Sequence, residues 1–484
     1  MTTDSRKAGK GSLYIAIRGV NADGHDFIGE ALSRGAAAIA VSDAAAKAAG
    51  EGIPVITVSD TRRLASRMFA AFYGGDEAGE PHKTKLIAVT GTNGKTTVTH
   101  MIRHILAYAG YSVGLIGTVG ITLGRERYDT AQHMTTPPPE EFYRVLWDMI
   151  RSDTDYIVFE ASSHGIAQER LAGLDILGCE LAAAVFTNLT PEHMDYHTGM
   201  EDYFAVKSRM FSEFGAKIKI INTSDAYGRR LYGLCPEGAV AVDTDGIGGG
   251  TVYPHGSMML GAAGVQYMYT SDSAVFPVRC GVPGRYTVAN SIEALACTTA
   301  LGIDAVTARD AIGTFGGVRG RMERVRCDTT KFTPPVFIDF AHTPAALEGL
   351  LHSVRETAPD KRLVLLFGCG GDRDRTKRAV MGRIATALSD YTIITSDNSR
   401  GERADDIIAE ILLGVPASAP HTVITDRASA IEYAVMNATP CDIIILAGKG
   451  HEDYDDSGGV RRHFDEREIV AAAIEKRYGS MGAV

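Results

Sequence analysis

Residues Val89-Thr90-Gly91-Thr92-Asn93-Gly94-Lys95-Thr96-Thr97 constrain the fold most, because a glycine-rich turn there separates an apolar run from an amphipathic helix pattern. Leu86-Ile87-Ala88-Val89 reads as a buried strand, and Val98, Met101, Ile102, Ile105, Leu106 and Ala109 recur at helical spacing until Gly110 stops the helix. A strand, a glycine turn and a helix start make a phosphate cradle. The backbone N–H groups of Gly91 to Lys95 would surround the β- and γ-phosphates of ATP, Lys95 would neutralise charge, and the Thr96 hydroxyl would hold Mg²⁺. The loop is the short G-T-N-G-K-T-T form, since Val89 stands where the usual G-x-x-x-x-G-K-S/T pattern has its first glycine.

A chain of 484 residues suits roughly two to four domains. Forty-five per cent hydrophobic and 22% charged residues describe a globular protein rather than a disordered one. Its formal charge, 49 basic against 59 acidic residues or −10, argues against general affinity for nucleic acid or acidic membranes, so an anionic ligand must be held locally. The polar start Met1–Lys10 and the lack of any bilayer-length apolar run predict a cytoplasmic protein without membrane insertion. Seven cysteines without a C-x-x-C pair predict neither a disulfide framework nor a zinc site.

The expected fold is α/β in three domains. Residues 1–83 carry short strands at Leu13–Ile17, Ala38–Val41 and Pro54–Val58, and end in a polar stretch, Gly74–His82, that reads as a linker. Residues 84–327 hold the phosphate loop and strands at Tyr156–Phe159 and Ala182–Phe186 alternating with helical patterns, the signature of a doubly wound ATPase sheet. After the boundary Cys327–Pro335, residues 328–484 place strands at Val336–Ile338, Leu363–Phe367, Thr392–Thr395 and Ile443–Leu446, which predicts a Rossmann-like third domain. Six polar motifs follow the carboxyl ends of strands, beginning at Glu160, Thr187, Asp339, Gly370, Asp397 and Gly448. Open α/β sheets bind ligands at that edge, and six such motifs on two domains imply a shared cleft.

Taken singly, these residues have ordinary readings too. Glu160, at the end of an apolar strand, suits a helix cap as well as a metal, and beside a triphosphate it could hold a second Mg²⁺ with His193. His193 alone reads as a structural histidine, and Lys207 as a solvated helix lysine.

The ordered set changes that weighting. G-T-N-G-K-T-T, E-A-S-S-H-G-I-A-Q-E-R, T-N-L-T-P-E-H-M-D-Y-H, Y-F-A-V-K, G-R-M-E, D-F-A-H-T-P, G-C-G-G-D-R-D, D-N-S-R and G-K-G-H-E follow one another from Gly91 to Glu452. Together they closely resemble the Mur ligases of peptidoglycan synthesis. The resemblance implies an ATP-dependent amide ligase that phosphorylates the D-glutamate side chain of UDP-MurNAc-L-Ala-D-Glu and lets an amino acid displace the phosphate. It also implies that Lys207 is carbamylated by CO₂, so that Glu160, His193 and the modified Lys207 serve a second Mg²⁺ while Thr96 serves the first. Asn290 resembles the family's adenine contact, and Arg321 and Asp339 its phosphate and ribose contacts.

For the nucleotide-sugar peptide, the similarity carries over to Thr3, Ser5, Val20, Asn21 and Ala22, and then to Met134, Thr135, Thr136, Ser162, Gln168 and Arg170. For the incoming amino acid it carries to Arg373, Asp397, Asn398, Ser399, Arg400, Gly448 and Glu452, positions used by members that add meso-2,6-diaminopimelate. A guanidinium can clamp a carboxylate in two places, and Glu452 can accept from an ammonium. The family signature is D-N-P-R, whereas Ser399 replaces the proline here, and losing proline's fixed φ loosens the loop that presents Arg400. Diaminopimelate is therefore favoured, with lysine and ornithine as alternatives. Folylpolyglutamate synthase, another amide ligase with the same phosphate loop, is the nearest rival, and a catalytically silent nucleotide-binding regulator the non-enzymatic one. A monomer is expected.

Overall fold

The computed structural model describes residues 1–19, 22–42, 52–124, 126–128, 134–194, 196–246, 249–326 and 333–479. Val20 and Asn21, and most of the expected boundary at Cys327–Pro335, lie outside the described residues. The chain divides into two compact units. One comprises residues 1–254, 269–275 and 290–311; the other comprises 255–268, 276–289 and 312–484.

The first unit begins with a parallel three-stranded sheet of β1 (Leu13–Ile15), β2 (Ala38–Val41) and β3 (Val55–Thr57), as the first apolar runs predict. Its main body is an eight-stranded sheet of β4 (Lys85–Thr90), β5 (Val113–Gly117), β6 (Gly120–Leu123), β7 (Glu126–Tyr128), β8 (Tyr156–Glu160), β9 (Glu180–Phe186), β10 (Ile218–Asn222) and β11 (Ala239–Val242). The order is β11-β10-β9-β4-β8-β5-β6-β7, with β4 parallel to both neighbours and the β5-β6-β7 edge antiparallel. All of β4 from Leu86 onward is buried. Helices on both faces of a parallel sheet demand this continuous apolar run in place of an alternating one.

The helix Thr61–Gly74 starts where the Asp60 carboxylate accepts from the Arg62 and Arg63 N–H groups. It lays Ala65, Phe69 and Ala70 into the same core as Phe142, Leu146 and Trp147 of the helix Pro139–Arg151. Trp147 is fully buried and donates its indole N–H to the Ala70 carbonyl at 2.8 Å. The stretch Gly74–His82, a linker by composition, is docked here. Gly79 and His82 donate to the carbonyls of Ile176 and Gly178, and the His82 ring meets Trp147 edge-on at 5.4 Å. Its polarity belongs to a backbone that pairs with a neighbouring turn, a property that composition does not reveal.

A three-stranded sheet, ordered β12 (Tyr253–Gly261), β13 (Gly264–Thr270) and β14 (Val275–Cys280), lies where the two units alternate along the chain. The second unit carries β15 (Glu323–Arg324), β16 (Val336–Asp339), β17 (Arg362–Phe367), β18 (Tyr391–Ile394), β19 (His421–Val423) and β20 (Asp442–Ala447) in the order β15-β16-β20-β17-β18-β19. Every pairing is parallel except β15 with β16. Two apolar layers cover the sheet, one with Leu347, Leu351 and Ile411 and the other with Ile431, Val435 and Val470. A hairpin of β21 (Tyr454–Ser457) and β22 (Val460–His463) follows β20. No helix among the described residues is long and apolar enough to cross a membrane.

Candidate active site

The phosphate loop joins β4 to the helix Lys95–Tyr108, which opens at Gly94 in a left-handed conformation (φ 87°) without a side-chain cap. Its first N–H groups are thus left for a ligand rather than for a serine or aspartate. Gly91 is obligatory: its φ is 141°, and a Cβ there would stand 1.9 Å from the Thr187 hydroxyl. A second segment braces the loop, as Thr92 and Asn93 donate through their N–H groups to the Asn188 carbonyl and side-chain oxygen, and the Thr187 hydroxyl donates to the Asn93 carbonyl at 2.6 Å. Asn290 reaches the same turn, its side-chain oxygen 2.5 Å from where a Gly94 Cβ would lie. Thr97 sits half-buried in the first turn.

Two lysines converge on one carbonyl. Lys95 donates to the carbonyls of Gly91 (3.0 Å) and Thr92 (2.7 Å), and Lys207 also donates to Gly91, at 2.7 Å. Lys207 is 1% exposed, with its nitrogen 4.8 Å from the centre of the Tyr203 ring. Burial first, and the Lys95 charge second, pull the Lys207 amine well below the usual lysine range. A fully buried, easily neutralised amine departs from the solvated helix lysine of the sequence pattern.

Glu160 ends β8 and is also buried. One carboxylate oxygen accepts from the Thr118 N–H at 2.8 Å, and the other accepts from the Thr96 and Thr118 hydroxyls at 3.0 Å each. Gly117 leaves room for this, because a Cβ there would meet the Glu160 oxygen at 2.2 Å. Thr96 and Glu160, expected to serve two metals, are therefore in direct contact. His193 has a left-handed backbone (φ 58°), and its ring lies 4.8 Å from His164 and 6.5 Å from Tyr203, the ring that Lys207 also touches. No group of three or more His, Cys, Asp or Glu side chains suited to a metal occurs among the described residues. Carboxylate and hydroxyl oxygens in small number fit Mg²⁺, which keeps waters and phosphate oxygens as its remaining ligands.

The residues expected at the nucleotide-sugar peptide form a chain of hydrogen bonds leading to Glu160. Thr135 contacts Thr118 hydroxyl to hydroxyl (3.0 Å), Thr136 donates to the Glu160 carbonyl (2.8 Å), and the Ser162 N–H donates back to Thr136 (3.0 Å). Arg170 bonds the Thr136 carbonyl, the Gln168 side chain at 2.7 Å and the Met134 sulfur at 3.4 Å. In the N-terminal sheet region, Ser5 donates to Glu30 at 2.6 Å, Thr3 is half-buried, and the Ala22 carbonyl accepts from Gly19 at 2.9 Å.

The second unit holds the rest. Asp339 accepts from the N–H groups of Met322 (2.8 Å) and Ala341 (2.9 Å), and burial raises its pKa against the pull of Arg321, whose guanidinium lies over Phe340. Asp397, Asn398 and Ser399 are buried after β18. Burial works against ionisation of Asp397, but Arg427 and Lys449 outweigh it and hold the carboxyl below its usual range. Glu452 moves the other way, pushed up by burial and then by Asp397. Gly448 (φ 116°) admits Asp397, whose oxygen would lie 2.6 Å from a Cβ there. Arg400 (φ 49°) donates through Nη1 to the Gly371 carbonyl at 2.8 Å, and its other guanidinium nitrogens have no protein hydrogen bond among the described residues. Arg373 flanks the same glycine turn, with its Cγ 3.9 Å from a Cβ placed on Gly370.

The loop without proline is tied to the hairpin by hydrogen bonds. The Arg400 N–H donates to the Asp456 carbonyl, its carbonyl accepts from Gly458 at 2.7 Å, and the Ser399 hydroxyl meets Ser457 at 3.1 Å. The hairpin β21-β22 supplies the restraint that a proline ring would give. Sequence reasoning missed this hairpin, and with it Lys449, Thr118 and Tyr203. Tyr203 and Lys449 stand within the Y-F-A-V-K and G-K-G-H-E motifs, whereas Thr118 follows a strand interrupted by glycines.

Three family models match the chain: "Mur ligase family, catalytic domain" over residues 1–73, "Mur ligase middle domain" over 89–298, and "Mur ligase, glutamate ligase domain" over 320–450. The chain is 39% identical to UDP-N-acetylmuramoyl-L-alanyl-D-glutamate--2,6-diaminopimelate ligase of Synechococcus elongatus, across 99% of this chain and 94% of that protein. It is equally 39% identical, with the same coverage, to the enzyme of that name from Gloeobacter violaceus. Among solved structures, one of a UDP-N-acetylmuramoyl-L-alanyl-D-glutamate--2,6-diaminopimelate ligase superposes with a TM-score of 0.68 at 29% identity, covering 98% of this chain and 94% of that one.

Proposed function

Since the chain belongs to the Mur ligase family of ATP-dependent amide ligases, we propose that it joins meso-2,6-diaminopimelate to the D-glutamate of UDP-MurNAc-L-Ala-D-Glu, as a cytoplasmic monomer. The γ-phosphoryl group of ATP passes to the glutamate side-chain carboxylate, with ADP as leaving group. The free amine then attacks the acyl carbon and loses a proton, and the tetrahedral intermediate expels phosphate. Lys95 exchanges its loop carbonyls for phosphate oxygens, and the uncapped helix start at Gly94 faces the same charge. Thr96 would hold one Mg²⁺, and Glu160, His193 and a carbamylated Lys207 a second; bound there, the ions would supply charge neutralisation along the phosphates. Asn290, Arg321 and Asp339 bind the nucleotide, and Thr135, Thr136, Ser162, Gln168 and Arg170 hold the peptide end of the sugar nucleotide. No side-chain nucleophile takes part, and positioning does much of the work.

The observation that carries this reading is the burial of Lys207 beside Lys95 on the Gly91 carbonyl. A lysine placed there needs a reason, since two like charges sharing one acceptor oppose each other. Capture of CO₂ by the neutral amine, with loss of a proton, turns the conflict into a carboxylate beside a cation. Lys207→Ala should abolish ligation through kcat while leaving the melting temperature within a few degrees, and ¹³C-labelled bicarbonate should give a carbamate signal in the parent that the variant lacks. Ligation by the variant at the parent rate in saturating ATP and Mg²⁺ would refute the carbamate.

A further inference from the structure

Lys449 is fully buried; it donates to the Asn398 side-chain oxygen at 2.8 Å and the Tyr454 carbonyl at 2.9 Å, and pairs with the Asp455 carboxylate at 3.2 Å. The same Asn398 oxygen also accepts from the Asp456 N–H at 2.9 Å. Both of these neighbours can only donate, so the side-chain atom facing them has to be the oxygen. The amide can then take only one orientation, with its NH₂ turned to Glu452, where it donates to Oε2 at 2.7 Å. Glu452 is left with Oε1, whose protein contact is the Tyr454 hydroxyl at 3.4 Å, a long and weak bond.

Resting on the proposed ligase reading, we propose that Lys449 is a positioning residue that sets the substrate's required polarity. By locking the Asn398 amide it occupies one Glu452 oxygen and presents the other as an acceptor for the distal ammonium of the incoming diamino acid. Without Lys449 the Asp456 N–H alone fixes the amide oxygen, and each excursion to the flipped amide turns that oxygen toward the Glu452 carboxylate, where two acceptors repel each other. Lys449 therefore selects for an amino acid with a second, cationic nitrogen, without touching it. The complementary anionic end falls to Arg400, whose backbone is tied to the same hairpin strand through Asp456.

Steady-state kinetics of Lys449→Met, Asn398→Ala and the double variant test this, using meso-diaminopimelate and 2-aminopimelate, which lacks only the distal amine. Lys449→Met should raise KM for diaminopimelate about tenfold or more, with KM for ATP within about twofold and a smaller change in kcat. The penalty with 2-aminopimelate should be slight. In the Asn398→Ala background the Lys449 change should cost little more, because its effect runs through that amide. Equal losses with both substrates or additive losses in the double variant would overturn the proposal; should Lys449→Met fail to fold, Lys449→Arg, which again offers only donors to the amide oxygen, should keep the preference for diaminopimelate, and a loss of that preference would overturn it. A parent protein that ligates no diamino acid would overturn the ligase reading instead, which separates the two failures.

Discussion

At the scale of single residues, the site uses burial to set charge. Lys207 and Glu452 show the two signs of one effect: desolvation disfavours the ionised form, lowering the amine and raising the carboxyl. Glu452 accepts an ammonium only when ionised. As pH falls from neutral, it takes up a proton before an ordinary glutamate near 4.5 would. KM for diaminopimelate should therefore rise with falling pH while the pH is still above 4.5, with KM for ATP unchanged over that interval; KM for diaminopimelate holding steady down to 4.5 would contradict this. Lys207 also shows where sequence stops being informative. Its helix, Met200–Ser212, has ordinary composition, and only its packing under the phosphate loop, with Lys207 beside Tyr203 one turn earlier on the same helix, turns a lysine that reads as solvated into a buried amine. The Gly91–Thr96 loop was legible because its function requires glycine at two left-handed positions, and that requirement is written in residue type.

At the scale of elements, unbroken apolar runs were legible and broken or alternating ones were not. β4, β17 and β20 read as apolar runs, whereas β5, although buried throughout and parallel to β8, contains two glycines that interrupt its run, and β14 alternates between exposed and buried positions. The hairpin β21-β22 is polar throughout, with no buried position in either strand, although it restrains Arg400. The helix Thr61–Gly74 is a comparable case, since its role in joining the N-terminal sheet to the ATPase core depends on Gly74 lying under Trp147. A Cβ on Gly74 would stand 2.5 Å from the indole, whose N–H is fixed on Ala70. Gly74→Ala should thus destabilise the protein by about 1–3 kcal/mol, even though alanine is the better helix former by about 1 kcal/mol. Denaturant melts of the purified variant check this, and an unchanged or raised midpoint would mean that the indole gives way.

At the scale of the whole molecule, a chain of net charge −10 would need cations concentrated locally to hold the anionic ligands proposed for it. Lys95, Lys207 and Arg170 belong to the first unit, and Arg321, Arg373 and Arg400 to the second. In the proposed reaction, phosphate release should depend on the amino acid as well as on the sugar nucleotide. Arg400 decides the amino acid in this account, because lysine and ornithine lack the carboxylate that its guanidinium would clamp. Losing a charge-assisted pair of roughly 1.5–3 kcal/mol predicts a fall of about tenfold or more in kcat/KM for diaminopimelate in Arg400→Ala. The most direct test is a competition: purified protein with ATP, Mg²⁺, UDP-MurNAc-L-Ala-D-Glu and equal concentrations of meso-diaminopimelate, L-lysine and L-ornithine, with the products resolved by mass. The account predicts a predominant diaminopimelyl product formed with one ADP each, whereas a lysyl or ornithyl product in excess, or ADP released without product, would contradict it.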